Sequence, residues 1–241
     1  MATVVEAASF RPSALIRQDD RVALLPCADL SAATWITASD QPWDELVGFG
    51  PAGFPAYARL RFIPDPAHEG QNENDFEMDD ADSPSETARL RTVLETLTRH
   101  TRTPDDLYFC LWDGWSSDIW SDHDDDHDAP QRRPRMAPAF PASVLDGPRV
   151  VVPARAYFLF RGAVSDFGDW GAADMWPGQP RVGMPDPAFI WPADQAWCIA
   201  NDVDPHWAGI GADVSAIAEL LADSRIDVVT ADPRKEQPWY R

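Results

Sequence analysis

Lysine is nearly absent from this chain. Of its 20 basic residues 19 are Arg, and Lys235 is the one Lys. With abundant Ala, Pro and Asp this reads as the codon bias of a high-GC genome and says little about mechanism. Positive charge is short overall: 40 acidic residues leave a formal net charge of −20. A general nucleic-acid binder needs a basic stripe to displace counterions, so nucleic acid is not an expected partner. Cysteine is scarce too. Cys27, Cys110 and Cys198 are odd in number, and no pair has metal or redox spacing. A thiol-reducing cytoplasm is the simplest compartment. No apolar run reaches the roughly 18 residues of a membrane helix, which argues against a membrane partner. Met1 to Arg17 lack the basic start and apolar stretch of a secretory signal. There is no Gly-rich phosphate loop, no Gly-x-Ser-x-Gly elbow and no His-Glu-x-x-His. No cofactor is expected, and the chain leans away from enzymes.

What is present is an ordinary globular balance. The 241 residues are 44% hydrophobic and 25% charged, enough for a single domain over 1–241. Trp is abundant at 11 residues. Indoles serve cores, interfaces and sugar-stacking sites alike. Charge is uneven: residues 62–130 carry 19 acidic and 4 basic side chains, residues 131–161 carry 1 and 6. Contacts between those two segments are a reasonable expectation.

Strand patterns fall at Val22 to Leu25, Tyr57 to Ile63, Leu107 to Trp112, Arg155 to Phe160, Ala196 to Asn201 and Ile226 to Val229. Cys110 and Cys198 lie within two of these and read as apolar core. Phe189 to Trp191 reads as a short edge segment and Gly209-Ile-Gly211 as a turn. A short helix is expected at Trp43 to Val47. Ser83-Pro-Ser-Glu86 reads as a capping box that starts a helix carrying Leu90, Val93, Leu94 and Leu97 on one stripe. Asp213 caps a second helix with Val214, Ile217, Ala218 and Leu221. Less ordered loops are expected near 64–82 and 116–148. The sum predicts an α+β protein: a mostly antiparallel sheet, helices packed on one face, and long acidic and Pro/Gly-rich loops.

Four constellations carry chemistry. His123 and His127 in Ser121-Asp-His-Asp-Asp-Asp-His-Asp128 have helical ligand spacing, but no apolar residues would hold that helix to a core, so a flexible acidic loop is the plainer reading. Asp202 and Asp204, with His206, make an alternative metal-dependent hydrolase site; the plainer reading is a turn into Pro205. Trp191-Pro-Ala-Asp194-Gln-Ala-Trp197 puts a carboxylate between two indoles before a strand. It suits a cationic group, a sugar, or Arg155 or Arg161; alternatively Asp194 pins the turn while the rings pack. Trp112-Asp113-Gly-Trp115 repeats the pattern, although Asp-Gly is first a turn signal.

Three blocks together resemble an uncharacterised family of proteins from high-GC bacteria: Leu94 to Trp115; Pro153 to Tyr157 with Leu159 to Gly162; and Trp191-Pro-Ala-Asp-Gln-Ala-Trp-Cys-Ile-Ala200 followed by Asp202-Val-Asp204. In that family Arg commonly stands where Gln195 is, and Glu where Asn201 or Asp202 falls. Those departures weaken any charge pairing carried over. The resemblance implies a shared fold after residue 85 and no activity.

The leading expectation is a non-catalytic cytoplasmic protein that binds a basic protein partner or a small ligand, immunity-like by analogy of composition alone. Its surface would gather Trp112, Asp113, Trp115, Trp191, Asp194 and Trp197 at adjacent strand ends. A weaker alternative is carbohydrate binding by exposed Trp.

Overall fold

The computed structural model describes residues 23–75, 83–115, 119–120, 136–181 and 183–241. Among these, nine strands form one antiparallel sheet: β1 (Leu25–Pro26), β2 (Ala56–Arg61), β3 (Leu107–Trp112), β4 (Val150–Val152), β5 (Arg155–Gly162), β6 (Phe189–Pro192), β7 (Cys198–Ala200), β8 (Trp207–Ala212) and β9 (Val228–Thr230). The order is β1-β5-β3-β6-β7-β8-β2-β9. β4 also pairs with β5, opposite Arg155 to Tyr157, so β1 and β4 share one edge of that strand. The helices are α1 (Thr34–Thr37), α2 (Trp43–Phe49), α3 (Glu86–Leu97), α4 (Ala142–Leu145) and α5 (Val214–Ala222). The α+β class holds.

Both faces of the sheet are buried, and alternation along the strands sorts the side chains. Leu107, Phe109 and Leu111 of β3, Phe158 and Phe160 of β5, and Ile190 of β6 enter one core with Leu90, Val93 and Leu94 of α3 and Ile217 and Leu220 of α5. Cys110, Tyr157, Leu159, Phe189, Trp191 and Cys198 enter a second core with Ile36 of α1 and Leu46 of α2. The helices therefore pack on both faces, not one. Continuous apolar strands such as Leu107 to Trp112 are the mark of a sheet covered on both sides.

Other corrections have local causes. Gly209 and Gly211 lie inside β8 and are not a turn. A Cβ at Gly209 would overlap the Gly48 carbonyl and come within 2.8 Å of the Phe49 ring, and one at Gly211 would overlap Phe54. These glycines admit α2 and the segment after it onto the sheet. β6 lies between β3 and β7, not at an edge. The α3 cap is Ser85, whose hydroxyl accepts from the Ala88 amide, so the helix starts two residues after the predicted Pro84. Asp213 caps α5 as expected, accepting from the Ser215 amide. The expected loop near 116–148 contains α4, and β4 lies in a stretch where no strand was expected. Residues 76–82, 116–118 and 121–135, with His123 and His127, lie outside the described residues.

Candidate functional site

Antiparallel pairing sets Trp112, at the end of β3, opposite Tyr157 near the start of β5. β6 turns Phe189 toward the same end, and β7 leaves there at Ala200. The side chains that gather at this end centre on Arg155. Its guanidinium carbon lies 4.9 Å from the Trp112 ring centroid and 5.5 Å from that of Trp43, the first residue of α2. Nε donates to Asp202 Oδ1 at 3.4 Å and Nη2 to Asp204 Oδ2 at 3.1 Å. Two indole faces and two carboxylates thus hold one planar cation, the geometry that favours guanidinium over ammonium. The Asp202 side chain is 6% exposed, whereas that of Asp204 is 67% exposed.

The neighbouring turn extends this patch. Trp115 meets Trp112 edge-on at 5.6 Å between centroids. Gly114 makes that fold-back possible, because a Cβ there would overlap the Trp112 ring. Asp113 pairs with Arg149 at 3.4 Å. Burial raises the Asp113 carboxyl above its ordinary value, with Arg149 offsetting part of the rise. The Arg149 guanidinium lies 3.6 Å from the Phe158 ring centroid and donates to the carbonyls of Gly147 and Leu145. Burial, with Asp202 adding to it, also pushes the Tyr157 phenol well up, so it stays protonated. The expected contacts between the acidic and basic segments occur here and at Arg161–Asp106.

Trp191, Asp194 and Trp197 do not join this surface. β3 and β6 run antiparallel, so the end of β6 carrying Asp194 meets the start of β3, at the far end of the sheet from Trp112. Trp191 is 1% exposed and Trp197 is fully buried. They lie in different cores, on opposite faces. Asp194 accepts from Thr101 Oγ1 at 2.6 Å and from the Arg102 amide at 2.9 Å, with Arg102 Nε at 3.5 Å. Burial pushes its pKa up, but these bonds and one from the Ala196 amide outweigh that and leave it below the carboxylate norm. Asp194 pins the turn; Arg155 and Arg161 pair elsewhere. With both indoles buried, neither Trp191 nor Trp197 offers a sugar-stacking surface.

The Asp202, Asp204 and His206 set also separates. Both carboxylates turn to Arg155, while His206 Nε2 meets Asp65 Oδ1 at 3.2 Å. Among the described residues no group of three or more His, Cys, Asp and Glu side chains is arranged to hold a metal ion. Sequence reasoning missed Trp43 and the central place of Arg155. The available signal was an Arg opening an otherwise apolar strand.

Fold and site together define an α+β protein whose Arg155 is held between two indoles and two carboxylates at one sheet end. Comparison with protein-family models, with curated proteins and with solved structures finds no match to the chain.

Proposed function

We propose that this is a non-catalytic binding protein whose contact surface is the Trp112–Trp115 end of the sheet with Asp202 and Asp204, and whose partner is a basic protein. The observation that carries the reading is the Arg155 guanidinium held by Trp43, Trp112 and two carboxylates, with Asp204 largely exposed beside it. The site already holds one guanidinium, and Asp204, 67% exposed, offers a carboxylate to a second. A formal charge of −20 would speed encounter with a basic partner. The reading does not need Trp191, Asp194 or Trp197. An immunity-type role rests on analogy of composition, and the family resemblance supplies no activity.

The test titrates the protein with nine-residue Arg and Lys peptides, followed by Trp fluorescence. The Arg peptide should bind more tightly. Asp204→Asn should weaken it several-fold with little change in melting temperature, because that side chain is 67% exposed. Equal binding of the two peptides, or unchanged binding by Asp204→Asn, sinks the reading.

A further inference from the structure

The β9 margin of the sheet is an open edge. Among the described residues β9 pairs only with β2. The Arg61 amide donates to the Asp227 carbonyl, and the Ala231 amide to the Tyr57 carbonyl. By strand alternation Asp227, Val229 and Ala231 face β2, so Val228 and Thr230 turn their N–H and C=O groups outward. Among the described residues those outward groups have no partner. The segment that follows turns back over the sheet, where Trp239 packs on Trp207 of β8 and the Tyr240 hydroxyl donates to the Pro64 carbonyl. An edge of this kind is a template for another strand. The opposite margin is blunted, because Pro26 of β1 has no N–H and β4 is three residues long between Pro148 and Pro153.

A second observation lies at the same margin. α5 packs on β2 and β9, with Ala216, Ile217 and Leu220 buried. Glu219, on one flank, reaches Arg99 and His100 in the turn after α3. Helical spacing puts Val214, Ala218 and Leu221 on the other flank, away from α3. All three are apolar and exposed, Val214 by 58% and Leu221 by 41%. Charge indicates the occupant. The chain has a formal net charge of −20, yet each of the four carboxylates within residues 214–235 is ion-paired in the chain. Glu219 pairs with Arg99, Asp223 with Arg225, Asp227 with Arg61 and Asp232 with Arg234. A second copy of the chain therefore meets no unpaired carboxylate on these residues, and a basic partner finds none to bind.

We propose that β9 and the outer flank of α5 form the contact between two copies of this chain, related by a two-fold axis through Val229. That register uses only free backbone groups. It sets Val228 opposite Thr230 of the partner subunit, and Thr230 opposite Val228 of the partner subunit, and each such pair exchanges both N–H···O bonds. An axis through Val228 would need the Ile226 amide, which already donates to the Asp223 carbonyl. An axis through Thr230 would need the Asp232 carbonyl, which already accepts from the Lys235 amide and Gln237 Nε2. The pairing continues the sheet across both copies and brings the two α5 flanks to the same side of it.

The test is sedimentation equilibrium of the full chain from about 1 to 100 μM. The mass should rise with concentration toward twice 26.8 kDa. Thr230→Pro removes an outward N–H without touching the β2 ladder, and Leu221→Glu puts a charge on the exposed flank of α5. Each should weaken self-association at least tenfold, with folding checked by circular dichroism. Leu221→Glu keeps the test open if Thr230→Pro unfolds. Val229→Cys tests the register. The axis sets the two Cα atoms of that residue about 4.5 Å apart, so oxidised glutathione should link this variant into a disulfide dimer. Val151→Cys, at the other margin and 60% exposed, should stay monomeric. The proposal is overturned if the mass stays at 26.8 kDa throughout, if a dimer forms and survives both substitutions, or if Val229→Cys cross-links no faster than Val151→Cys.

Discussion

A single residue at the far end of the sheet separates anchoring from binding. Asp194 accepts bonds from Thr101, Arg102 and Ala196, and its side chain is 10% exposed. Asp194→Ala would leave the Thr101 hydroxyl and two amides without their acceptor, a cost of about 2 kcal/mol. Urea unfolding should show that loss while Arg-peptide affinity stays at the wild-type value. A drop in affinity at unchanged stability would return Asp194 to the binding surface. Residue identity made Asp194 conspicuous, but its role depends on Thr101 and Arg102, some ninety residues earlier. The sequence offers no sign of that pairing. Trp191 and Trp197 misled for the same reason. Six positions apart around a turn they look like a pair, yet one stacks on Tyr108 in one core and the other fills the opposite core.

At the scale of elements, legibility followed periodicity. β3 was readable to the residue because Leu107 to Trp112 is an unbroken apolar run between Asp106 and Asp113. α3 was readable from Leu90, Val93, Leu94 and Leu97, but its start was placed two residues early. Ser83 and Ser85 both precede a Glu or Pro signal, and only backbone geometry chooses between them: Ser85 is extended, with φ −62° and ψ 161°. Ser85→Ala should therefore cost about 1 kcal/mol in thermal or urea unfolding, and Ser83→Ala close to nothing. Equal effects would put the cap elsewhere. Gly209 and Gly211 were unreadable as strand residues because Gly punctuates turns far more often than it marks close approach. What decides their state is α2 lying against β8, a contact between segments about 160 residues apart. Gly209→Ala should destabilise by roughly 3 kcal/mol or more, because backbone and not a flexible side chain occupies the space. A neutral result in the same assay would show that α2 can move. The Arg155 site was half legible. Trp112, Asp113, Trp115, Asp202 and Asp204 were singled out, but strand order, which decides that they meet, is a property of the whole sheet.

Across the whole molecule, acid should act first through one partly buried network. Asp65 takes donors from Arg59, Arg61 and His206, and the Tyr240 ring packs edge-on against His206 at 4.8 Å. Burial works against the Asp65 carboxylate, but those donors and the two guanidinium charges outweigh it and hold its pKa down at about 2 from 3.8. That stabilisation, on the order of 2 kcal/mol before solvent screening is discounted, is complete above pH 3.8 and lost as pH falls toward 2. His206 acts earlier. Burial lowers its pKa from 6.5, Asp65 offsets part of that, and Arg59 adds to the lowering. The unfolded chain therefore binds this proton before the folded chain does. The His206 contribution is whole above pH 6.5 and drains away as pH falls below that value through the folded-state pKa. Loss of negative charge over the same range works the other way, since it relaxes the self-repulsion of a chain at −20. The two effects part in His206→Gln, which keeps an N–H donor for Asp65 but does not titrate. Urea midpoints of wild type and variant, measured from pH 8 to pH 5, should run parallel above pH 7. Below about pH 6.5 the wild type should fall relative to the variant. Curves that stay parallel to pH 5 would mean that His206 titrates alike in both states and that the network does not sense acid.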